Sequence, residues 1–329
     1  MMEIETSARL HLSLIDLNGS EGRLDGGIGI SLKEPTLRIK CEESKETNII
    51  YDSKYSQSET RIYNSRIIET TNIIKKHLNI DKDYEFNIQE IYPAHLGLGL
   101  GTQLSLSIAK LITSMNDLSL TSCQLADIVH RGGTSGIGVH SFDKGGIIID
   151  GGHKTKIKND FLPSSASHVT PPPLLARYDF PEKWSIILVI PDKHESVSGQ
   201  KEVNIFQEYT PIKQSEVEKI SYLTLMKLMP AVIEEDLNSF SEAVNTIQKL
   251  GFKKVERNLQ TNNITKLLRN MENLDIPCVG MSSFGPTCFG IIEKPTKGII
   301  NEIKDIINDK DKIILTQGKN NGSKIVLGE

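Results

Sequence analysis

The sequence predicts an α+β fold for a chain of 329 residues. Hydrophobic residues make up 38% of the chain and charged residues 24%, which is enough apolar material to fill a sizeable core. Segments that alternate apolar and polar residues, typical of strands, are mixed with segments of helical period. Because strands and helices do not follow a strict βαβ order, the α+β class is favoured over a doubly wound sheet.

Each element follows from the local period of its apolar residues. In the first half, a capping box at Ser56 and Glu59 opens the first predicted helix. Strands are predicted over 4–14, 28–32, 37–41, 84–91 and 145–150, and helices over 58–78, 103–115 and 121–129. In the second half, strands are predicted over 184–190, 277–280 and 287–292 and in two short segments at the end, with helices over 199–208, 214–228, 234–249, 261–273 and 296–308. A loop at 160–173, which ends in three prolines, divides the chain into predicted domains 1–170 and 171–329.

Composition excludes several classes of protein. With 38 Lys and Arg against 42 Asp and Glu, and only 5% aromatic residues, the chain is not expected to bind nucleic acid. Its four cysteines form no C-x-x-C pair, which argues against a zinc site or a disulfide framework and favours a cytoplasmic location. Apolar runs of about five residues are far short of the roughly 18 that a membrane span needs, so no membrane association is expected.

The most informative segment is the glycine-rich turn PAHLGLGLGTQ at 93–103. Gly97, Gly99 and Gly101 would let the backbone approach a ligand, and the helix that follows would offer unpaired N–H groups to a phosphate. Thr102 could add a hydroxyl to a phosphate or a Mg²⁺ ion. The segment does not match the P-loop pattern, and a plain strand-to-helix turn remains the alternative.

Two further segments carry chemistry. In the first, one face of a strand carries Arg9, His11 and Ser13. Asp16, Arg23 and Asp25 follow, beside a pair of glycines. This grouping predicts a site for an anion and a metal ion or, alternatively, ion pairs on the surface. In the second, RGGTSGIGVH at 131–140 forms another glycine-rich loop, unless it is only a flexible connection. His95 and His140 adjoin the two glycine loops and are therefore candidate ligand-binding residues.

These segments together resemble the GHMP kinase superfamily, whose phosphate loop reads P-x-x-x-G-L-G-S-S. Gly99 to Gln103 stands where G-L-G-S-S would, and the segment GMSSFGPT at 280–287, which contains Ser282 and Ser283, resembles the third motif of the superfamily. The resemblance implies two lobes, an N-terminal lobe like domain 2 of ribosomal protein S5 and a ferredoxin-like C-terminal lobe.

One departure from the superfamily bears on function. Kinases such as mevalonate kinase carry G-T-P-S-G-x-D, whose Asp acts on the substrate hydroxyl, whereas this chain has Gly138 at that position. A glycine cannot orient or deprotonate an alcohol, so ordinary phosphoryl transfer is not expected.

The form of the motifs resembles a narrower family, the β-ribofuranosylaminobenzene 5′-phosphate synthases of methanopterin biosynthesis. Five segments carry this resemblance, namely the opening SARLHLSLIDLNGSEGRLDGGIGISL, HLGLGLGTQL, RGGTSGIG, DGGH at 150–153 and PPPLLARYDFP. It implies that 5-phosphoribosyl 1-diphosphate reacts with 4-aminobenzoate or 4-hydroxybenzoate to give a C-riboside 5′-phosphate, CO₂ and diphosphate. A homodimer is also implied.

Roles for the candidate residues follow from that chemistry. Asp16 and Asp25 are expected to hold Mg²⁺, and Arg9, His11 and Arg23 complete the expected catalytic group. Arginines 9, 23, 131 and 177 are candidates for the 5-phosphate or the arene carboxylate. The residues expected to bind the phosphate and diphosphate are Gly97, Gly99, Gly101, Thr102, Gln103, Arg131, Thr134 and Ser135, and further substrate contacts are expected from His95, His140, Arg177, Ser282 and Ser283.

Two alternatives stay open at this point. One is a GHMP kinase that phosphorylates an alcohol with ATP and uses Asp143 or Asp150 as its base. The other is a phosphate- or nucleotide-binding regulator without catalytic activity.

Overall fold

Two long antiparallel strands form the centre of the larger of two sheets. The structure, a computed structural model, describes residues 1–53, 55, 57–164, 166–192, 197 and 199–327. Strand β1 (Met2–Asp16) pairs with β2 (Arg23–Ser44) from the Met2–Cys41 pair to the Asp16–Asp25 pair. The alternating residues of β1 predicted this strand, and its even-numbered side chains from Ile4 to Leu14 are all buried.

The remaining elements follow in chain order. The strands are β3 (Asn48–Tyr51), β4 (Asp83–Glu90), β5 (Ile147–Asp150), β6 (His153–Lys154), β7 (Leu174–Tyr178), β8 (Ser185–Ile190), β9 (Cys278–Met281), β10 (Cys288–Ile292), β11 (Lys312–Thr316) and β12 (Lys324–Leu327). The helices are α1 (Gln57–Leu78), α2 (Leu100–Met115), α3 (Ser122–Ile128), α4 (Ile137–Lys144), α5 (Gln200–Tyr209), α6 (Gln214–Leu223), α7 (Met229–Ile233), α8 (Leu237–Ile247), α9 (Gly251–Asn258), α10 (Asn262–Glu272) and α11 (Lys297–Ile306), with a π-helical turn at Thr224–Leu228 between α6 and α7.

The strands divide into two sheets, as a two-lobe fold requires. The larger sheet has the order β12-β1-β2-β4-β3, and β2 also pairs with β5 and β6 while β5 pairs with β7. The smaller sheet has the order β11-β8-β10-β9. Two strands that follow residue 170, β7 and β12, belong to the larger sheet, so the N-terminal lobe includes chain from both sides of that position.

Several elements differ from the sequence-based expectation. The strands expected at 28–32 and 37–41 are one strand, β2, because the residues between them stay extended. In this stretch Lys33 N donates to the backbone oxygen of Gln317, just after β11, at 2.8 Å. Helix α4 and the short helices α7 and α9 were not predicted. Ser56 and the side chain of Glu59, the predicted capping box, lie outside the described residues.

The core is continuous between the lobes. Trp184 is fully buried, with ring centroids 5.6 Å from Phe180 and 5.0 Å from Phe240, and it belongs to the same apolar cluster as Ile4 and Leu10 of β1. None of the helices described is both long and apolar enough to cross a membrane.

Candidate active site

The glycine-rich turn ahead of α2 closes against the third motif. Gly97 has φ +75°, and a Cβ there would lie 2.3 Å from Ser282 O, so only glycine fits this position. Ser282 Oγ donates to Gly97 O at 2.8 Å and accepts from His11 N at 3.0 Å. Thr287 Oγ1 donates to Leu96 O at 2.7 Å. Three segments far apart in sequence are thereby fixed around one point.

The N-terminus of α2 is open to a ligand. Gly99, the N-cap residue, has φ +83° and provides no side-chain cap, and the first turn contains no acidic residue. The first N–H groups of a helix have no intrahelical partner, and together with the helix dipole they favour an anion. Gly101 adds no obstruction, since a Cβ there would meet only the Arg131 guanidinium, at 3.4 Å.

This helix end lies on a cavity of about 760 Å³. Many of the residues predicted from the sequence line it. They are Arg9, His11, His95, Gly97, Gly99, Gly101, Thr102, Arg131, Thr134, Ser135 and Ser283, together with Gly138.

Two arginines give the cavity a cationic side. Arg131 donates to Thr102 Oγ1 through Nε at 3.3 Å and Nη2 at 3.1 Å, and Arg9 Nη1 donates to Gly97 O at 2.6 Å. Burial lowers the pKa of each guanidinium to about 10, and repulsion from Arg66 adds to the effect on Arg131. Both stay charged at neutral pH, and Arg9 Nε has no hydrogen-bond partner among the described residues. A bound anion would therefore relieve an unfavourable arrangement.

Other residues that were not predicted from the sequence also line the cavity. Arg61 and Arg66 of α1 face the same cavity, and Arg66 pairs with Glu69 at 3.2 Å. Two arginines five residues apart on a helix that precedes a predicted phosphate loop could have indicated an anion site. The sequence does not show, however, that α1 packs beside α2. Glu256 also lines the cavity and pairs with Lys253, whose Nζ donates to Ser283 O at 3.1 Å.

A second side of the cavity is apolar and aromatic. Leu14, Phe206 and Phe284 line it and pack in one cluster with Phe252. The Phe206 and Phe252 ring centroids are 4.4 Å apart, and those of Phe252 and Phe284 are 5.8 Å apart. Such a wall suits a flat aromatic ligand.

His11 and Ser135 lie where β1 meets the second glycine loop. His11 Nε2 is 3.2 Å from Ser135 Oγ, and Ser135 Oγ lies 3.4 Å from Asp150 Oδ2. Burial, with repulsion from Arg9 and Lys253, holds the pKa of His11 well below its ordinary value, so the imidazole is neutral. Burial also raises the pKa of Asp150 to about 6.

The expected Mg²⁺ ligands do not fit a metal site. Both oxygens of Asp25 accept from Lys158 Nζ, at 3.1 and 2.9 Å, and Oδ2 lies 2.6 Å from His153 Nδ1. Asp16 Oδ1 accepts from the backbone N–H groups of Asn18 and Gly19. Neither aspartate lines the cavity, and within the described ranges no cluster of three or more His, Cys, Asp or Glu could hold a metal ion.

Five other predicted residues hold the fold together outside the cavity. Arg23 donates to the carbonyl oxygens of Gly151 and Gly152, and Arg177 donates to Gly145 O and Asn320 O. Gln103 accepts from Thr6 Oγ1 and donates to Gly138 O, so it joins α2 to β1 and α4. His140 Nε2 bonds Pro172 O at 2.9 Å. Ser282 Oγ bonds the backbone of Gly97 and His11 and does not line the cavity.

Asp143 and Asp150, the two residues predicted as the base of a kinase, do not line the cavity. Asp143 pairs with Lys144 at 3.3 Å, and Asp150 is fully buried behind Ser135. Gly138 itself lies in the first turn of α4, where a Cβ would meet Thr102 Cγ2 at 3.1 Å. The close approach of α4 to α2 thus explains the glycine in packing terms.

Comparisons with solved structures show the fold. The structure matches homoserine kinase from Cytophaga hutchinsonii with a TM-score of 0.67 at 10% identity, covering 99% of this chain and 97% of the other. It matches mevalonate kinase of Methanococcus jannaschii with a TM-score of 0.65 at 14% identity, over 97% and 98% of the two chains. At these identities the likeness confirms the GHMP-kinase fold and carries no further meaning.

Comparisons of sequence show the family. No protein-family model matches the chain. It is 46% identical to the β-ribofuranosylphenol 5′-phosphate synthase of Methanothermobacter thermautotrophicus over 98% of each chain. It is 44% identical to the enzyme of the same name from Methanocaldococcus jannaschii, over 98% of this chain and 100% of the other. With this extent of identity and a cavity that joins a cationic helix end to an aromatic wall, the chain belongs to the β-ribofuranosylphenol 5′-phosphate synthase family of enzymes.

Proposed function

We propose that the protein condenses 5-phosphoribosyl 1-diphosphate with 4-hydroxybenzoate, forming a C-riboside 5′-phosphate and releasing CO₂ and diphosphate, as a step of methanopterin biosynthesis. The observation that carries the proposal is the two-sided cavity. The α2 N-terminus, Arg9 and Arg131 offer binding groups for a multiply charged phosphate ester. The wall that contains Phe206 and Phe284 offers a surface for an arene in the same cavity.

The proposed reaction begins at the anomeric carbon. Diphosphate leaves as positive charge develops on the ribosyl ring, and preorganised N–H groups and guanidinium groups stabilise the departing charge. The ring carbon that bears the carboxylate then attacks, and CO₂ leaves from that carbon. No alcohol is phosphorylated in this scheme, which agrees with Gly138 in place of the kinase aspartate.

The choice of arene rests on the relatives. Their shared name designates a ribosylated phenol, the product expected from 4-hydroxybenzoate. The amine analogue, 4-aminobenzoate, has nearly the same shape and is the natural comparison substrate.

Dependence on Mg²⁺ stays a prediction, because a diphosphate leaving group commonly carries this ion. Since Asp16 and Asp25 do not fit it, we assign it no ligand from this pair. A homodimer and a cytoplasmic location, both expected from the sequence, likewise stay predictions.

A direct assay separates the proposal from the two alternatives. The protein is incubated with Mg²⁺, 5-phosphoribosyl 1-diphosphate and carboxyl-labelled 4-hydroxybenzoate, and in parallel with ATP and either homoserine or mevalonate. Labelled CO₂ with equimolar diphosphate is the expected result. ADP formation would favour a kinase, and neither product would favour a regulator.

A further inference from the structure

A chain of hydrogen-bonding groups runs from the cavity wall to a buried carboxylate, and the reaction proposed above gives this chain no role. Ser135 lines the cavity, with Oγ 3.2 Å from His11 Nε2 and 3.4 Å from Asp150 Oδ2. Asp150 is fully buried and does not line the cavity. The Ser135 hydroxyl therefore connects a buried carboxylate with the space that the substrates would occupy.

We infer from the hydrogen-bond partners which groups carry protons. Asp150 Oδ2 accepts from Gly136 N at 2.9 Å and Oδ1 from Gly152 N at 3.0 Å, so the carboxylate is held rigidly and accepts from the Ser135 hydroxyl. His11 Nδ1 is buried, and no group in the described part of the chain bonds it. An unpaired acceptor is less unfavourable than an unpaired N–H donor, so the imidazole proton lies on Nε2 and is donated to Ser135 Oγ.

The neighbouring segments place this serine close to the aromatic wall. Ser283 N donates to the backbone oxygen of His11 at 3.0 Å, and Phe284 follows Ser283 directly. Leu14, three residues after His11 on β1, lines the same side of the cavity. Ser135 and this wall line the same cavity, so an arene bound there shares the cavity with the Ser135 hydroxyl.

We propose that Ser135 and Asp150 form a proton relay for the para hydroxyl of the aromatic substrate, and that His11 is the positioning residue that orients Ser135. This inference rests on the proposed function and assigns to that reaction a base that neither the sequence motifs nor the relatives' names specify.

The chemistry of the ring explains why such a relay is needed. A phenol such as that of tyrosine ionises near pH 10, so at neutral pH only about one molecule in a thousand is a phenolate. When the ring attacks the ribosyl carbon, its electrons come from the para oxygen. The hydroxyl proton becomes far more acidic as the C–C bond forms, and a positioned carboxylate accepts it. Burial raises the pKa of Asp150 to about 6. This value lies below the pKa of the free phenol and above the pKa of the hydroxyl once the C–C bond has formed, so the carboxylate can accept the proton as the ring attacks.

The steps balance without any added reagent. The ring carbon that bears the carboxylate forms a bond to the anomeric carbon as the bond to diphosphate breaks. Ser135 Oγ also accepts from Ile137 N at 3.3 Å, and the substrate hydroxyl displaces this long contact, because a hydroxyl oxygen has only two lone pairs and His11 Nε2–H holds the other. The substrate hydroxyl proton then passes to Ser135 Oγ, and the Ser135 proton passes to Asp150 Oδ2, which leaves a dienone. The C–CO₂ bond then breaks, its electron pair restores the aromatic ring, CO₂ departs, and the proton returns to the oxygen along the same path.

A comparison of two substrates tests the relay. An amino group donates its lone pair without losing a proton, so 4-aminobenzoate does not need the relay. Ser135→Ala is expected to lower kcat/KM for 4-hydroxybenzoate about 100-fold, the scale of general acid–base catalysis, and to change that for 4-aminobenzoate only a few-fold. Asp150→Asn and His11→Gln should shift the ratio of the two kcat/KM values in the same direction.

A matched control separates chemistry from loop stability. Ser167 Oγ donates to the backbone oxygen of Gly133 at 2.6 Å, and Gly133 belongs to the glycine-rich loop that carries Ser135. Ser167 does not line the cavity, so Ser167→Ala should leave the ratio of the two kcat/KM values unchanged. Thermal melting and calorimetric binding of 5-phosphoribosyl 1-diphosphate confirm that each variant is folded. An unchanged ratio in folded Ser135→Ala would overturn the relay while leaving the synthase intact. A wild-type protein inactive with both arenes would instead refute the proposed function.

Discussion

Arg131 forms two hydrogen bonds to the Thr102 hydroxyl, through Nε at 3.3 Å and Nη2 at 3.1 Å. This contact joins the second glycine-rich loop to the first turn of α2 and presents a desolvated guanidinium beside open N–H groups. The cationic end of the cavity is thus assembled from two motifs about 30 residues apart, and each can be tested separately.

Removal of this guanidinium should weaken substrate binding more than folding. Arg131→Ala is expected to reduce the affinity for 5-phosphoribosyl 1-diphosphate about 10- to 100-fold, because a hydrogen bond to a charged group contributes roughly 1.5–3 kcal/mol. Isothermal calorimetry measures the affinity. The matched control is Arg177→Ala, which removes an arginine that bonds backbone oxygens outside the cavity. It should lower the melting temperature and leave the affinity unchanged, and the reverse pattern would contradict the assignment.

The glycines of the first loop should divide into two kinds. A Cβ at Gly101 would meet only the Arg131 guanidinium, so Gly101→Val is expected to fold and to lose affinity for the phosphoribosyl substrate. A Cβ at Gly97 would lie 2.3 Å from Ser282 O, so Gly97→Ala should lower the free energy of unfolding instead. Melting curves and calorimetry of both variants check this division. Unchanged affinity in a folded Gly101→Val protein would show that the substrate does not approach this turn.

A carboxylate at position 138 should harm the synthase without creating a kinase. Two like charges about 4 Å apart cost roughly 1–4 kcal/mol across effective dielectric constants of 80 to 20, and both substrates are anions. Gly138→Asp should therefore weaken the binding of both, with partial recovery at high salt.

Gly138→Asn separates charge from packing in that experiment. Both side chains would press on Thr102, since the Cβ position is 3.1 Å from its Cγ2. Equal losses in the Asp and Asn variants would identify that steric contact, and not charge, as the cause. Backbone strain is not the reason, because Gly138 lies within α4 and is not among the glycines of positive φ.

Substitution of Asp25 should lower stability without changing the dependence of activity on Mg²⁺. EDTA is expected to abolish turnover and Mg²⁺ to restore it. Asp25→Asn leaves the buried Lys158 ammonium without its ionic partner, and removal of one member of such a pair costs about 3–5 kcal/mol of stability. Chemical denaturation should show this loss, whereas the Mg²⁺ concentration for half-maximal activity should match the wild-type value. A large increase in that concentration would restore Asp25 as a metal ligand.

The sequence predicted the parts of the site that depend on short segments. Gly97, Gly99 and Gly101 mark a turn and a helix start, with positive φ at Gly97 and Gly99, and the structure places all three on the cavity. The alternation along β1 likewise predicted the strand that carries Arg9 and His11. Such features follow from local backbone geometry and side-chain period, which are read directly from neighbouring residues.

The assignment of charged residues could not be made in the same way. Arg9 and Arg131 reach the cavity while Arg23 and Arg177 bond backbone oxygens elsewhere, although all four lie in the segments that carry the family resemblance. Asp25 finds its partner Lys158 at a distance of 133 residues along the chain. No local pattern reports such a partner.

The sequence by itself therefore determined the α+β fold class, the glycine-rich turn ahead of α2 and the presence of a glycine at position 138. Only the tertiary structure decided which ionisable groups face the cavity, that the arginines of α1 join them, and that Ser135 lies between His11 and Asp150. The physical reason is that a turn or a helix end is fixed by its own residues, whereas the environment of a charge is set by whichever distant segments pack against it.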